Sequence, residues 1–318
     1  MYNYIVDKAT RTGASHERRG LPNEDRAVIV QTNSRIWMGV FDGVSKGGGG
    51  CMAASLASGS MESVLKNSGQ SDIRQLGLAI MRSAQESILS ASATHPEYGK
   101  MQTTGVVACI DKSEHTLTWF SIGDSAVFVC PKRKKSVKLT IEDTDIGEQL
   151  AMGKLSPKTA AQATVGHELN RWLGMDISPE SIGRCIRTGR KELSPSDSVV
   201  VCSDGFYSKV PVKMLGELVR MNEAPEAMIK AARENGSQDD ITVIFAKPSI
   251  TGRVWHIQPG SAIALALFLF ACGFLCGVFL TTIMKETHPY LRLHMHEVAP
   301  ETAPTDTLTI KTEEDETV

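Results

Sequence analysis

From Gly260 to Met284 the chain runs for about 25 residues without one charged side chain, dominated by Ala, Leu, Phe, Ile and Val. About 20 apolar residues suffice to cross a ~30 Å hydrocarbon layer as a helix. A helix on the surface of a globular domain keeps a polar face over such a length. The run therefore predicts a transmembrane helix over 260–284 and confines any globular fold to what precedes it. A linker over 248–259 leads in. The tail over 285–318 sets Lys285, Arg292 and Lys311 against eight acids and is expected to be disordered. Within the run, Gly273 and Gly277 form a GxxxG pair through which two copies could dimerise.

Flanking charge sets the orientation only weakly, since Arg253 is the one formal charge between Ser249 and Gln258. Seven cysteines lack the paired spacings of a zinc or redox motif. No signal-peptide pattern is found over Met1–Thr10. Both features place the preceding domain on the cytoplasmic side with reduced thiols. A net charge of -2 gives no pull towards nucleic acid. The basic run Lys132–Lys135 reads as a solvated hairpin tip, and Cys109, Cys130 and Cys202 read as core filler.

The first 247 residues alternate apolar strand patterns with helical ones. Strands are expected over 27–31, 36–41, 104–111, 117–122, 126–130, 136–140, 198–202 and 241–246. Helices are expected over 51–66, 73–92, 146–152, 157–163, 212–221 and 225–234. Runs segregated in this way argue for an α+β fold, with antiparallel sheets and helices on their outer faces.

Aspartates fall at the ends of these strands. Asp42, Asp124 and Asp204 follow strands, whereas Glu24, Asp25, Asp239 and Asp240 precede them. If neighbouring strands pair antiparallel, one edge collects five or six of these carboxylates. Two carboxylates ~4 Å apart repel by ~4 kcal/mol at a surface-like dielectric. The cluster is tolerable only with raised pKa values or with cations among the acids. The all-oxygen donor set fits Mg²⁺ or Mn²⁺ better than zinc. Each Asp-Gly pair alone is more often a turn, so the weight rests on the joint pattern.

The motifs resemble those of the metal-dependent protein phosphatases, the protein phosphatase 2C family in its bacterial form. Asn23-Glu24-Asp25, Asp42-Gly43, Thr103-Thr104-Gly105, Gly123-Asp124-Ser125, Ser203-Asp204-Gly205 and Asp239-Asp240-Ile241-Thr242 occur in the family's order over residues 1–247. The segment 141–180, with Leu150–Gly153 and His167–Gly174, resembles the family's mobile flap.

The resemblance implies an α-β-β-α sandwich that hydrolyses phosphoserine and phosphothreonine on proteins phosphorylated by a cognate kinase. It implies two Mn²⁺ or Mg²⁺ ions bridged by Asp42. The Gly43 carbonyl would bind one ion, and Asp204 and Asp239 would complete the second. Glu24 and Asp25 would orient the waters of that centre, and Asp124 would join Asp204 at a third ion. The family's phosphate-gripping Arg would fall at Gly20, so Arg19 is the expected replacement and Arg18 the fallback. Ser208 stands where a further third-ion Asp would be, Lys46 enters after the Asp-Gly motif, and Asp240 replaces an Asn. The competing reading is a phosphatase-fold module that binds phosphoproteins without turnover.

Overall fold

A computed structural model describes residues 3–44, 49–69 and 72–249. The expected helix over 260–284, its Gly273/Gly277 pair, most of the linker, the tail and Lys46 lie outside the described residues. No helix among the described residues is long and apolar enough to cross a membrane.

In chain order the elements are β1 (Asn3–Arg11), α1 (Ala14–Arg19), β2 (Arg26–Gln31), β3 (Arg35–Phe41), α2 (Gly49–Asn67), α3 (Ile73–Thr94), β4 (Gly105–Asp111), β5 (Thr116–Ile122), β6 (Ala126–Cys130) and β7 (Val137–Lys138). They continue with α4 (Asp145–Ala151), α5 (Pro157–Gln162), β8 (Arg187–Glu192), β9 (Ser198–Cys202), α6 (Asp204–Tyr207), α7 (Val212–Arg220), α8 (Pro225–Glu234) and β10 (Ile241–Ser249). One sheet has the order β1-β10-β9-β6-β7 and the other β2-β3-β4-β5-β8. Every pairing is antiparallel.

The period of two along each strand divides the core into layers. On β3, Trp37 and Phe41 pack with Ala53, Ala57 and Met61 of α2 and Ile80 of α3. The alternate residues Ile36, Met38 and Val40 face Val127, Val199, Val201 and Ile244 of the other sheet. Beyond that sheet, Val200, Cys202 and Phe245 pack under Phe206, Leu215, Met228 and Ile229. The result is helix, sheet, sheet, helix. Strands buried on both faces read as unbroken apolar runs, as β9 does with Ser-Val-Val-Val-Cys. Among the described residues, all three apolar clusters lie within the compact unit Met1–Thr251.

Two strands and two helices add to the expected set. β8 reads Arg-Thr-Gly-Arg-Lys-Glu and β1 is half exposed, so neither carries an apolar pattern. Each sits at a sheet edge, paired on one side only. The helices α1 and α6 are short turns beside the acidic motifs. The strand expected over 136–140 contracts to two residues, because the Thr140 hydroxyl accepts the Val127 N–H in place of a ladder carbonyl.

The basic run forms the exposed tip of the β6–β7 hairpin. Cys109, Cys130 and Cys202 are buried in strands, and the described cysteines are free thiols. Burial pushes the Cys130 thiol up to about 11 and raises those of Cys109 and Cys202 as well.

Candidate metal centre

Register brings the acidic motifs to one edge. Arg26 pairs with Phe41, so Asp25 and Asp42 leave their strands side by side. Gly105 pairs with Ile122, which sets Thr103 and Thr104 beside the Gly123-Asp124 turn. In the other sheet Cys202 pairs with both Val243 and Ala126. Asp204 and Asp239 thus leave at the same end as Asp124.

Backbone contacts fix the rim. The Thr104 N–H and the Thr103 hydroxyl both donate to the Asp42 carbonyl, at 2.8 and 2.9 Å. The Asp42 N–H donates to the Thr104 hydroxyl at 3.1 Å. Gly43 touches the first turn of α2, where a Cβ would come within 2.5 Å of the Gly50 carbonyl carbon. Only glycine lets the helix approach the rim so closely. The approach is mutual, since a Cβ on Gly50 would come within 2.8 Å of the Gly43 carbonyl carbon.

Electrostatics separates the carboxylates. Asp42, Asp124 and Asp204 are half-buried, Asp239 is exposed, and Glu24 and Asp25 are buried. Burial raises the Asp42 carboxyl well above the usual range, with Asp25, Asp204, Asp124 and Asp239 adding charge repulsion. Asp204 is raised by burial and then by Asp239, while a hydrogen bond with Asp42 opposes the rise. Asp124 is raised by burial and then by Asp204 and Glu142.

Burial pushes Asp25 up to about 7, with Asp240 and Asp204 adding to the rise and the Thr242 and Ser203 hydroxyls pulling it down. Asp25 Oδ2 accepts the Ser203 hydroxyl at 2.8 Å, whereas Oδ1 is buried with no hydrogen-bond partner. An orphaned buried oxygen among mutually repelling carboxyls, with an all-oxygen donor set, fits hard divalent cations. Among the described residues no three Asp, Glu, His or Cys side chains form a ready-made ligand cage.

Glycine at position 20 has a conformational reason. Gly20 caps α1 in the left-handed region at φ 65°, which disfavours a side chain, and Arg19 is the last helical residue. Arg19 lines a cleft of about 450 Å³ with Asp204, Ser208 and Asp239. Arg18 donates instead to the Gln238 side chain at 3.1 Å. Ser208 is exposed at this cleft.

Three features were not foreseen. Asp240 is no loose extra charge: its carboxylate accepts the N–H groups of Gly13 and Glu24 and lies 3.0 Å from His16 Nδ1. It fastens α1 and the Glu24 turn to the start of β10. Glu142, paired with Lys138, adds a carboxylate facing Asp124.

Third, the flap segment is clamped by Asp143. This fully buried residue meets Arg171 at 3.0 Å and Arg187 at 2.7 Å, and both arginines also reach Glu148. Asp143 Oδ2 accepts the Gly123 N–H, and its own N–H donates to the Gly123 carbonyl. The helix expected over 146–152 starts at Asp145, and Thr144 is its cap.

A family model of protein phosphatase 2C matches residues 12–245. The serine/threonine phosphatase stp of Listeria monocytogenes serotype 4b is 24% identical over 175 residues, covering 54% of this chain and 66% of its own length. Its serovar 1/2a counterpart is 26% identical over 155 residues, covering 48% and 58%. The chain thus spans less than two thirds of the length of these curated relatives. The fold is similar to serine/threonine phosphatase Stp1 from Staphylococcus aureus, with a TM-score of 0.67 at 19% identity over 77% of this chain and 95% of that one. It is also similar to the catalytic domain of PstP in complex with two manganese ions, with a TM-score of 0.60 at 19% identity over 78% and 99%. With the family model running through every acidic motif of the rim, this chain belongs to the protein phosphatase 2C family.

Proposed function

We propose that this protein is a membrane-anchored phosphatase that hydrolyses phosphoserine and phosphothreonine on other proteins with two divalent cations, Mn²⁺ or Mg²⁺. The observation that carries the reading is the mutual repulsion of Asp42 with Asp25, Asp204, Asp124 and Asp239, five acids from separate strand ends gathered on one rim. Asp42, the Gly43 carbonyl, Asp204 and Asp239 would hold the ions, and Asp124 would serve a weaker third site. When bound, the ions lower the pKa of water and offset charge on the transferring phosphoryl group.

The chain's own residues supply position and proton control. Ser203 holds Asp25 by one oxygen and leaves the other buried without a hydrogen-bond partner. Thr103 and Thr104 fix the Asp42 backbone. Arg19, at the edge of the cleft, is suited to meet an incoming phosphate, for which a guanidinium offers paired donors.

Support for the anchor is the uncharged run over 260–284, which would leave the catalytic domain on the cytoplasmic side. Substrates would be targets of a cognate Ser/Thr kinase. The helix pair through Gly273 and Gly277 is a dimer contact on the same reading. The test is hydrolysis of p-nitrophenyl phosphate and a phosphothreonine peptide by the full chain with added Mn²⁺ or Mg²⁺. Turnover should vanish in EDTA and in Asp42→Ala; turnover that survives EDTA overturns the two-ion reading. Phosphopeptide binding without turnover would instead favour the non-catalytic module, for which Ser208 in the cleft is the motivating departure.

A further inference from the structure

The strand register that gathers acids at one end of the sandwich gathers bases at the other. Cys130 pairs with Ser198, and Val199 with Ala246, so the C-terminal ends of β6 and β10 lie at the same end of one sheet. Asp204 and Asp239 are at the opposite end. Beyond Cys130 the hairpin tip exposes Lys132, Arg133, Lys134 and Lys135. Lys191 joins them around a surface hollow of about 550 Å³. The acids there are Glu192 and Asp197, the latter buried and accepting the Ser194 N–H. Val137, 49% exposed, adds an apolar side chain to the tip.

The described chain leaves the domain at this same end. β10 closes at Ser249, and the uncharged run begins at Gly260, about ten residues on. Ten extended residues reach ~35 Å at most. A cationic surface carrying an exposed apolar side chain suits the headgroup layer of an anionic bilayer. We infer that the basic edge formed by Lys132–Lys135 and Lys191 is a docking surface for anionic lipid, which holds the acidic rim on the side facing away from the bilayer. The inference rests on the membrane-anchored reading and adds an orientation to it.

Residues 1–251 would be mixed with vesicles of neutral phosphatidylcholine or of phosphatidylcholine with about one third phosphatidylglycerol, and sedimented. Each basic residue near an anionic surface strengthens binding roughly fivefold. Reversing four of them, Lys132→Glu, Arg133→Glu, Lys134→Glu and Lys135→Glu together, should therefore weaken binding at least about a hundredfold. The variant should melt at the same temperature as the parent, since these side chains are exposed. Binding to the anionic vesicles alone, lost in the variant and in ~1 M salt, is the expected result. No binding, binding unchanged by charge reversal, or retention on polyglutamate without vesicle binding overturns the lipid assignment. Membrane fractionation of the full chain tests the anchor separately: a soluble full chain alongside a vesicle-binding domain sinks only the anchor.

Discussion

Two groups of acids, each wholly or partly buried, lie within one domain, and the fold treats them oppositely. Asp143 and Glu148 are met by Arg171 and Arg187, so the chain supplies their cations. Asp42, Asp124 and Asp204 repel one another, and burial and neighbouring acids raise all three. A fold able to neutralise the first group could have neutralised the second. On the proposed two-ion reading, the acids left uncompensated beside a compensated set would be a space reserved for charge brought from outside.

That contrast is sharpest at Asp42. Asp42→Ala should lower turnover roughly a thousandfold or more, equivalent to about 4 kcal/mol of transition-state stabilisation, while the melting temperature without metal holds or rises. A variant that melts well below the parent would show Asp42 to be a structural acid after all. At the compensated group the sign reverses. Asp143→Asn leaves two arginines facing a neutral side chain and should cost about 3–5 kcal/mol of stability by denaturant titration, with no recovery on adding Mn²⁺.

Asp25 links the comparison to pH. Its folded pKa of about 7 lies above the usual 3.8, so the folded state binds the proton more tightly. Its stabilising contribution is full below about pH 4 and is lost as pH rises through about 7. Without metal the domain should therefore lose on the order of a few kcal/mol between those limits. Thermal melts in EDTA at pH 5 and pH 8 measure this, and Mn²⁺ should raise the melting temperature more at pH 8. Equal melts at both pH values would remove Asp25 from the uncompensated group.

Asp240 tests the boundary between the groups. Asp240→Asn keeps one acceptor for the Gly13 and Glu24 N–H groups and should cost about 1–3 kcal/mol. The smallest effect is at the cleft edge, where Arg19→Ala should raise KM for a phosphopeptide about tenfold, and Arg18→Ala much less.

How far these features could be read in advance depended on how local their signals are. Asp42-Gly43 and Asp204-Gly205 are legible because each is an acid placed directly after an apolar strand, and antiparallel pairing then fixes the shared edge. The two-sided burial of β9 is written in Ser198–Cys202 itself. The Asp143 clamp is not local: its arginines come 28 and 44 residues later, and nothing near Asp143 announces them. His16 reaches Asp240 across 224 residues. The edge strands β1 and β8 bury too little to impose a pattern, so their pairing follows from partners already formed.

The partnership of β1 with β10 bears on how the domain is made. Residues 3–11 pair with 241–249, so the first strand waits while roughly 230 further residues are synthesised. At ribosomal rates that is about 10–50 s. Until β10 emerges, β1 lacks its strand partner and the rim lacks Asp239. A nascent chain halted short of residue 241 would thus have an open sheet and an incomplete active edge, however much of the helical layers it had already packed. Catalytic competence should appear late and abruptly during translation, just before the uncharged segment leaves the exit tunnel.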